Sequence, residues 1–327
     1  MFLIVRFKIF DRLDDRKNAM DTKYFKTLKA ILETGSFQKA AQALHYTQST
    51  VTFHVQQLER IFSIKLFNKV GRKMELTQIG REILPYVDTI LQATEQIENY
   101  GKEISEMRGT LKLVAPDSVL IYVLQDAIQQ FVQEAPNIQL IVNSLPSDEI
   151  NHAVLDGVAD IGINCDRGIY FKSIQYQHGA PFHACLVAAP DWNGEELDFI
   201  TPRQCKNISM ICNEPTSSYQ RQMNRYLAER DIVLKPYMKM QSIEAVKRSV
   251  INRLGVAYIP VFSVSKEIEN RCLQKIPTTM DSYVFTSVIL YHKDRWVSPQ
   301  MKLFLQICTE QWEKVFSDIK SHGEGVS

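Results

Sequence analysis

A run of short polar side chains opens one predicted helix, QSTVTFHVQQLERIF, which follows Thr47. A glutamine amide can form two hydrogen bonds with an adenine edge, and Gln48 lies in the first turn, which a helix in the major groove presents to the bases. Phe53 can contact a thymine methyl group or pack on a neighbouring side chain. These properties predict an element that reads DNA. Its candidate contact residues are Ser36, Thr47, Gln48, Ser49, Thr50, Thr52, Phe53, His54 and Gln56.

Three short predicted helices position these side chains. The segment 23–34 has apolar residues at three- and four-residue spacing, and Gly35 is suited to end that helix because it tolerates a left-handed backbone. Ser36 and Thr47 are expected to cap the second and third helices. Three short helices with a turn between the last two form the helix-turn-helix pattern, in which the last helix reads the bases.

Two short extended runs, FNKV and KMEL, follow the third helix with Gly71 between them, which predicts a hairpin or wing. Arg72 and Lys73 lie at its tip, where cations contact phosphates or the minor groove. Within residues 20–80, nine basic residues stand against four acidic ones, which leaves +5 there and −4 over the rest of a chain whose net charge is +1. A local excess of positive charge favours DNA binding through the release of counterions.

A long amphipathic helix is predicted to start after Thr77 and to run to about Tyr100, within a linker and dimerisation helix assigned to residues 79–108. Pro85 falls inside this run and is expected to kink the helix or to end its first part. The apolar stripe of such a helix needs a partner, and the simplest partner is the same helix of a second chain. The sequence therefore predicts at least a homodimer.

From residue 109 the pattern changes to alternating strands and helices, which is typical of a parallel α/β sheet. Within it, the segment 119–136 predicts a single helix closed by a proline. A chain of 327 residues with 45% apolar residues has room for two or three domains with buried cores. We assign residues 20–78 to the winged helix-turn-helix domain and residues 109–318 to the α/β domain.

The N-terminal stretch MFLIVRFKIF is interrupted by Arg6 and Lys8 and lacks a small-residue cleavage site, which argues against a secretion signal. Residues 1–19 are assigned to an N-terminal extension; either Met20 is the true start or the extension adds a strand or helix. No window reaches the ~20 apolar residues that span a bilayer. Six cysteines without Cys-x-x-Cys spacing indicate reduced thiols. We therefore expect a cytoplasmic protein without a membrane partner.

The segment from Ser36 to Leu84 resembles the N-terminal domain of LysR-type transcriptional regulators, with the family's spacing kept without a gap. Further along, FVQEAPNIQL, VLDGVADIGI and RLGVAYIP resemble segments of the family's effector domain, with Arg253 in place of the first glycine of the usual Gly-x-Gly. The matching residues of the first domain are Gly35, Ser36, Phe37, Ala40, Ala41, Leu44, Thr47, Gln48, Val51, Leu58, Glu59, Leu66, Phe67, Arg72, Leu76, Thr77 and Gly80.

The resemblance implies a mixed fold: an N-terminal all-α winged helix-turn-helix, a long linker helix and a C-terminal two-lobed α/β effector domain similar to periplasmic binding proteins. Lobe I is expected at about 109–180 and 284–318, and lobe II at about 181–283. A small-molecule effector then binds between the lobes, where helix N-termini favour small anions, although Asp117 would repel a carboxylate and favours a neutral or zwitterionic effector. The serines in the predicted effector site are equally explained as helix caps. That predicted site comprises Ser118, Ser147, Asn164, Ser217, Ser218 and Ser242.

The implied activity is that of a regulator whose dimers pair into a homotetramer, read a pseudo-palindromic promoter and respond when the effector favours one lobe arrangement. RNA polymerase is a further expected partner. The chain has no Gly-x-Ser-x-Gly, His-Glu-x-x-His or phosphate-loop motif, so we expect no catalytic residues, no metal site and no cofactor. Two alternatives are a free-standing binding protein, which would lack the basic helix-turn-helix, and a structural protein, whose DNA binding would ignore effectors.

Overall fold

The structure, a computed structural model, covers the chain with several interruptions. The residues that it describes are 20–70, 73–165, 171–192, 196–280 and 282–323. The predicted N-terminal extension at 1–19 and the predicted wing tip at Gly71 and Arg72 lie outside the described residues. The chain divides into two compact units between Tyr100 and Gly101.

Helices fill most of the first unit, together with one antiparallel hairpin. Its described elements are α1 (Thr22–Thr34), α2 (Phe37–Ala43), α3 (Gln48–Phe62), β1 (Phe67–Val70), β2 (Lys73–Leu76) and α4 (Gln78–Glu98). The hairpin pairs Phe67 with Leu76 and Val70 with Lys73. Three helices followed by a hairpin form the predicted winged helix-turn-helix.

The predicted capping residues of this unit lie at helix ends, as expected. Gly35 ends α1 with a left-handed φ of 67°. The Ser36 hydroxyl accepts a hydrogen bond from the Lys39 amide at 3.4 Å, and the Thr47 hydroxyl accepts one from the Thr50 amide at 3.1 Å. Each such cap satisfies a backbone donor that the helix leaves free and contributes about 1 kcal/mol.

One apolar core holds the three helices and the hairpin together. Ala40 and Ala41 of α2 are buried, and their small side chains let the helices cross closely. Burial of each large side chain contributes about 1.5–3 kcal/mol, which fixes the orientation of α3 although its other face is polar. The larger core side chains are Phe25, Leu28, Ile31, Val51, Val55, Leu58, Leu66, Phe67 and Val87.

The start of α4 approaches the hairpin so closely that residue 80 must lack a side chain. A Cβ atom on Gly80 would lie 2.8 Å from the Leu66 carbonyl oxygen and 2.8 Å from Leu76 Cγ. Thr77 fixes this approach twice, because its hydroxyl accepts from the Gly80 amide at 2.9 Å and donates to the Lys65 carbonyl at 2.7 Å. The hairpin is therefore held to the base of α4.

The linker helix differs from the expectation in two ways. α4 continues unbroken through Pro85, so the alternative that this proline ends the first part of the helix is wrong. The helix stops at Glu98, and residues 99–108 form turns, so the assignment of a helix to all of 79–108 is also wrong. Gly101 takes a φ of 77°, which an α-helix does not accommodate.

The described part of the second unit contains a five-stranded sheet, a three-stranded sheet, a two-stranded parallel sheet and the helices that cover them. Its described elements are β3 (Gly109–Ala115), α5 (Asp117–Tyr122), α6 (Gln125–Glu134), β4 (Ile138–Ser144), α7 (Ser147–Leu155), β5 (Ile161–Asn164), β6 (Ile174–Phe182), β7 (Ala184–Ala188), β8 (Gln204–Cys212), α8 (Ser218–Glu229), β9 (Ile232–Lys239), α9 (Ile243–Ile251), β10 (Ala257–Pro260), α10 (Ser265–Glu269), β11 (Gln274–Ile276), β12 (Phe285–His292) and α11 (Pro299–Gly323).

Lobe I is built on a five-stranded sheet with the strand order β4-β3-β5-β12-β6. β3 is parallel to β4 and β5, whereas β12 is antiparallel to β5 and β6. Ile150 and Val154 of α7 join one apolar cluster with β3 and β12. In a second cluster, Phe131 of α6 and Phe304 of α11 meet edge to face with ring centroids 5.4 Å apart.

Lobe II contains an antiparallel sheet of order β10-β7-β11 and the parallel pair β8-β9. A parallel bridge between Met210 and Val256 joins the two parts. α9 buries Ile243, Val246 and Val250 in a cluster with residues of β7 and β10. The chain enters lobe II at β7 and returns to lobe I at β12, so the predicted two-lobed α/β architecture is confirmed.

Two predicted elements of the α/β domain need correction. The segment 119–136 was expected to form one helix, but it contributes to α5 and α6, which are separated at Val123 and Leu124. Both residues of this break are buried, so packing against lobe I stabilises a bend that periodicity does not reveal. The sequence pattern also missed β6, a strand containing Gly179 and Pro181 that is defined by its pairing with β12.

The replacement of the usual first glycine at position 253 leaves the local backbone left-handed. Arg253 adopts a φ of 61°, and its Nε donates to Asp191 Oδ1 at 3.0 Å. The second glycine is required, because a Cβ atom on Gly255 would lie 2.2 Å from the Ser209 carbonyl oxygen.

None of the described helices combines the length and the apolar character that crossing a membrane needs.

Candidate functional site

α3 has two faces of opposite character. Val51, Val55 and Leu58 lie in the core with 5% exposure or less, whereas the N-terminal turn faces outward. Phe53 is 51% exposed, so its ring is available to a partner. The outward-facing residues, exposed or half-buried, are Thr47, Gln48, Ser49, Thr50, Thr52, Phe53 and Gln56. The structure therefore brings most of the predicted DNA contacts to one side of a single helix.

Short hydrogen bonds order the hydroxyl groups at the start of α3. Thr47 Oγ1 lies 2.8 Å from both Ser49 Oγ and Thr50 Oγ1, and Thr52 Oγ1 donates to the Gln48 carbonyl at 2.9 Å. A hydroxyl that donates to the backbone keeps lone pairs that can accept from a base or from an ordered water. These bonds limit the rotamers of the reading surface before any partner binds.

His54 was predicted to contact DNA, and the structure shows this to be wrong. The side chain is 4% exposed, and its Nδ1 atom lies 2.8 Å from Thr27 Oγ1. The rings of Tyr24 and Tyr46 lie against it, with centroids at 5.0 and 5.4 Å. Burial, reinforced by the positive charge of Lys23, lowers the pKa of His54. His54 is therefore a packing residue that holds α3 on α1.

The end of α3 is tied to the beginning of the wing by one carboxylate. Glu59 Oε1 accepts from the Leu66 amide at 2.9 Å, and Glu59 Oε2 pairs with Lys65 Nζ at 2.7 Å. This arrangement places the hairpin beside the reading helix. The predicted wing contacts remain predictions, because Arg72 and the side chain of Lys73 lie outside the described residues. Ser36, the remaining predicted contact, is half-buried as the cap of α2.

α4 presents large apolar side chains to solvent. Ile79 is 51% exposed, Tyr86 70% and Ile97 78%, whereas Val87 on the inner face is 1% exposed. Lys29 of α1 pairs with Asp88 at 2.9 Å and helps to fix the inner face. An exposed apolar stripe on a long helix is the feature that a second helix would cover.

Two carboxylates cap helices across the cleft between the lobes. Asp117 of lobe I accepts from the Ile243 amide, the first helical residue of α9 in lobe II, at 2.7 Å. In the opposite direction, Glu214 of lobe II accepts from the Ser147 amide, the first helical residue of α7 in lobe I. A negative charge at a helix N-terminus is favourable by about 0.3–1 kcal/mol and by up to about 2 kcal/mol when partly buried.

The end of β5 joins this junction. The Asn164 amide donates to the Ser147 carbonyl at 2.8 Å, and the Ser218 hydroxyl of lobe II donates to the Cys165 carbonyl at 2.7 Å. Asn164 is 2% exposed, and its Oδ1 atom accepts no hydrogen bond within the part of the chain that the structure describes. Three of the predicted effector-site residues thus meet in one hydrogen-bonded group.

The first turn of α8 packs at the same junction. Ser217 is 1% exposed and caps the helix, accepting from the Gln220 amide at 3.3 Å. Gln220 is 2% exposed, and its Oε1 atom accepts no hydrogen bond within the described residues. Burial, and then the negative charge of Glu214, raise the pKa of the Tyr219 hydroxyl, which therefore stays protonated.

Two predicted effector-site residues lie beside these contacts. Ser118 follows Asp117 and is 2% exposed. Ser242 is half-buried and caps α9, accepting from the Ala245 amide at 3.2 Å. The alternative interpretation of the serines as helix caps therefore holds for Ser217 and Ser242. It does not hold for Ser147, because α7 begins after Pro146 without a side-chain cap.

A buried lysine of α9, Lys247, contacts lobe I. Lys247 is 3% exposed, and its ammonium group donates to Glu267 at 2.6 Å and Glu244 at 3.1 Å. It also donates to the Tyr122 hydroxyl of α5 at 2.5 Å. The two carboxylates and the hydroxyl together compensate for the removal of the charge from water.

Glu214, Gln220 and Lys247 were not among the site residues predicted from the sequence. Glu214 lies between β8 and α8, and Asn164 likewise lies at the end of a strand. The negative charge of Glu214 is, however, opposite to the charge expected beside an anion. Lys247 adjoins the apolar positions of α9 with Glu244 three residues earlier, which is a detectable ion-pair spacing. No group of three or more His, Cys, Asp or Glu side chains among the described residues is placed to hold a metal ion.

Comparisons with known proteins match both units. The family described as bacterial regulatory helix-turn-helix protein, lysR family, matches residues 22–81, and the LysR substrate binding domain matches residues 105–313. The chain belongs to the LysR family of transcriptional regulators. This regulator is 35% identical over 296 residues to the uncharacterized HTH-type transcriptional regulator YfiE of Escherichia coli (strain K12), covering 89% of the chain and 98% of the relative.

Solved structures share the fold of the regulator. Full-length OxyR from Pseudomonas aeruginosa has a TM-score of 0.66 at 16% identity, covering 90% of this chain and 95% of that one. Full-length CbnR complexed with its target DNA has a TM-score of 0.58 at 16% identity, covering 89% of this chain and 100% of that one. The family and its members are transcriptional regulators and not enzymes. The regulator thus combines a DNA-binding domain with an effector-binding domain.

Proposed function

We propose that the regulator reads promoter DNA through the exposed N-terminal turn of α3, and that a small molecule held between lobes I and II sets promoter output. The observation that carries the first part is the division of α3: an apolar face fixes the helix in the core, and Gln48 and Gln56 remain exposed on the other side. A polar face on a rigid helix is the arrangement that major-groove recognition needs.

In this proposal, each exposed side chain makes a specific kind of contact with DNA. The Gln48 amide donates to and accepts from one adenine edge, and the Phe53 ring covers a thymine methyl group. Ser49 accepts from or donates to a base or phosphate. Arg72 and Lys73 of the wing contact phosphates or the minor groove and contribute the salt-dependent part of the affinity.

We further propose that the apolar stripe of α4 forms a homodimer and that dimers pair through the second units into a homotetramer. Two reading helices of a dimer then face half-sites about one helical turn apart. The oligomer works in the cytoplasm, where it acts on RNA polymerase at the promoter. The exposed Ile79, Tyr86 and Ile97 support the dimer contact.

The effector acts by changing the balance between lobe arrangements. The bonds from Ser147 to Glu214, from Ile243 to Asp117 and from Ser218 to Cys165 favour one closed arrangement. A ligand shifts this balance only by the difference in its affinity for the two arrangements. Effector binding at this junction would therefore change the spacing of the reading heads in the oligomer.

Binding of the full-length protein to its own upstream DNA, measured at several salt concentrations, tests the DNA-reading part. Gln48→Ala should weaken specific binding roughly 5- to 150-fold, since a bidentate base contact is worth about 1–3 kcal/mol. Arg72→Ala should weaken binding to every DNA sequence by a similar factor. It should also reduce the slope of log affinity against log salt concentration by about 1. Gln129→Ala, which removes an exposed amide from α6 of the second unit, should change neither quantity.

Selective, salt-sensitive binding that Gln48→Ala loses and Gln129→Ala keeps is the expected result. If the folded protein binds all DNA sequences equally and Gln48→Ala does not change its affinity, the assignment of α3 as the DNA-reading helix is refuted. Screening of small molecules on the DNA complex then tests effector control, and a complex that responds to none would refute that part alone.

A further inference from the structure

Carboxylates of the chain itself occupy two helix starts in the cleft that would otherwise attract an anion. The amides that open α7 and α9 each donate to a carboxylate of the opposite lobe, Ser147 to Glu214 and Ile243 to Asp117. Such amides lie at the positive ends of helix dipoles, where a carboxylate ligand is most favoured. A carboxylate ligand would have to displace these side chains and would be repelled by their negative charges.

The buried cation of the cleft is occupied as well. An ammonium group has three N–H donors and no acceptor. The three donors of Lys247 are matched by the Tyr122 hydroxyl, the Glu244 carboxylate and the Glu267 carboxylate. Lys247 therefore has no donor left for an anionic ligand.

Two buried amide oxygens at the same junction accept no hydrogen bond from the part of the chain that the structure describes. The nitrogens of Asn164 and Gln220 donate to the Ser147 carbonyl at 2.8 Å and to Asn224 Oδ1 at 2.9 Å. Their oxygens, on side chains that are each 2% exposed, accept no hydrogen bond within the described residues. A buried acceptor without a donor is destabilising, so a ligand that supplies donors gains there. The bond from the first turn of α8 to the end of β5 places both residues at the lobe junction.

We propose that the cleft binds a primary amine in its protonated form, whose ammonium group donates to Asn164 and Gln220 and is attracted by Asp117 and Glu214. A donor-only cation matches a site that offers acceptors and negative charge. The inference rests on the proposed function and deepens it, because it assigns the effector to a chemical class: amines, and not carboxylates.

Thermal unfolding of the full-length regulator near neutral pH tests this class. The probes are butylamine and diaminobutane against butyrate and succinate, at equal concentration and ionic strength. Tryptophan fluorescence is the readout, because Trp192, Trp296 and Trp312 all belong to the second unit. The amines should raise the Tm by about 3 °C or more at ten times their Kd. The carboxylates should leave the Tm unchanged.

A charge-neutral variant tests the source of the selectivity. Asp117→Asn combined with Glu214→Gln removes both charges and keeps, at each position, an amide oxygen that can accept from the same backbone N–H. The Kd for the amines should rise at least about tenfold in this variant. The matched control, Asp126→Asn combined with Glu134→Gln, removes two exposed carboxylates of α6 and should respond like the wild type.

A second variant, Gln220→Met, removes one unpartnered oxygen without changing the charge and should also weaken amine binding, with circular dichroism and DNA binding confirming the fold. Carboxylates that stabilise the wild type as much as amines do would overturn the proposal. So would a full amine response in the charge-neutral variant, or a Tm that neither class changes. The DNA-reading function is tested separately by Gln48→Ala. If only carboxylates raise the Tm, the proposal of effector control stands, but the proposal that the effector is an amine is refuted.

Discussion

Replacing Thr27 by valine should destabilise the first unit by disrupting the contact that holds the reading helix. The Thr27 hydroxyl donates its single proton to the Lys23 carbonyl at 2.8 Å. With that proton engaged, we assign the 2.8 Å contact with His54 Nδ1 as a hydrogen bond that the histidine donates. Valine has the same shape but accepts nothing, so the buried Nδ1–H of His54 loses its partner.

A buried donor without an acceptor costs about 1–3 kcal/mol. In a domain of the size of the first unit, each kcal/mol lowers the Tm by about 4–8 °C, so Thr27→Val should lower it by roughly 4–24 °C. Thr34→Val on the same helix removes a half-buried hydroxyl that donates to the Ala30 carbonyl at 2.7 Å, and it should cost less than about 0.5 kcal/mol.

The burial of His54 predicts a pH dependence of stability. Burial lowers the pKa of His54 in the folded state below its ordinary value of 6.5, so between these two values the unfolded chain binds more protons. The contribution of His54 to stability is therefore complete above pH 6.5, and it is lost as the pH falls through the lowered folded pKa. His54→Asn keeps an amide that can donate to Thr27 but does not titrate, and it should remove this part of the acid sensitivity.

Circular dichroism and tryptophan fluorescence separate the two units, because every tryptophan lies in the second. Thr27→Val should move the helical transition of the first unit and leave the fluorescence transition in place. An unchanged Tm in Thr27→Val, or equal effects of Thr27→Val and Thr34→Val, would refute the reasoning about the hydrogen bond. An acid sensitivity that persists undiminished in His54→Asn would refute the reasoning about its pKa.

Two further predictions concern the elements around the reading helix. Gly80→Ala should lower the free energy of unfolding of the first unit by about 1–3 kcal/mol, because the new Cβ would clash with the Leu66 carbonyl. Circular dichroism should show a lower Tm of the first unit, and an unchanged Tm would contradict the close approach. Ile97→Asp, at a site that is 78% exposed, should weaken self-association at least about tenfold in sedimentation, whereas an unaltered oligomer would exclude this part of α4 from the interface.

The sequence by itself determined the elements whose signals are local. Capping residues, a glycine stop and apolar spacing predicted the helices around Ser36, Thr47 and Thr77, and the structure places their caps there. Such caps depend on atoms within three residues of one another, so the amino-acid order is sufficient to define them. The segregation of positive charge to the first unit and the resemblance to the LysR family could be read in the same way.

Other features were decided only by tertiary structure. His54 stands beside exposed residues in the sequence, yet its environment is set by Thr27 of another helix, and periodicity along α3 does not reveal that partner. The cleft depends on the same kind of information, because Asp117 and Glu214 meet the helix starts of the opposite lobe over long sequence separations. The resemblance to the LysR family identified the cleft between the lobes as a place for ligands, whereas the carboxylate caps and the unpartnered oxygens appear only once the lobes are packed together. Burial and long-range hydrogen bonds set these environments, and neither is a property of local sequence.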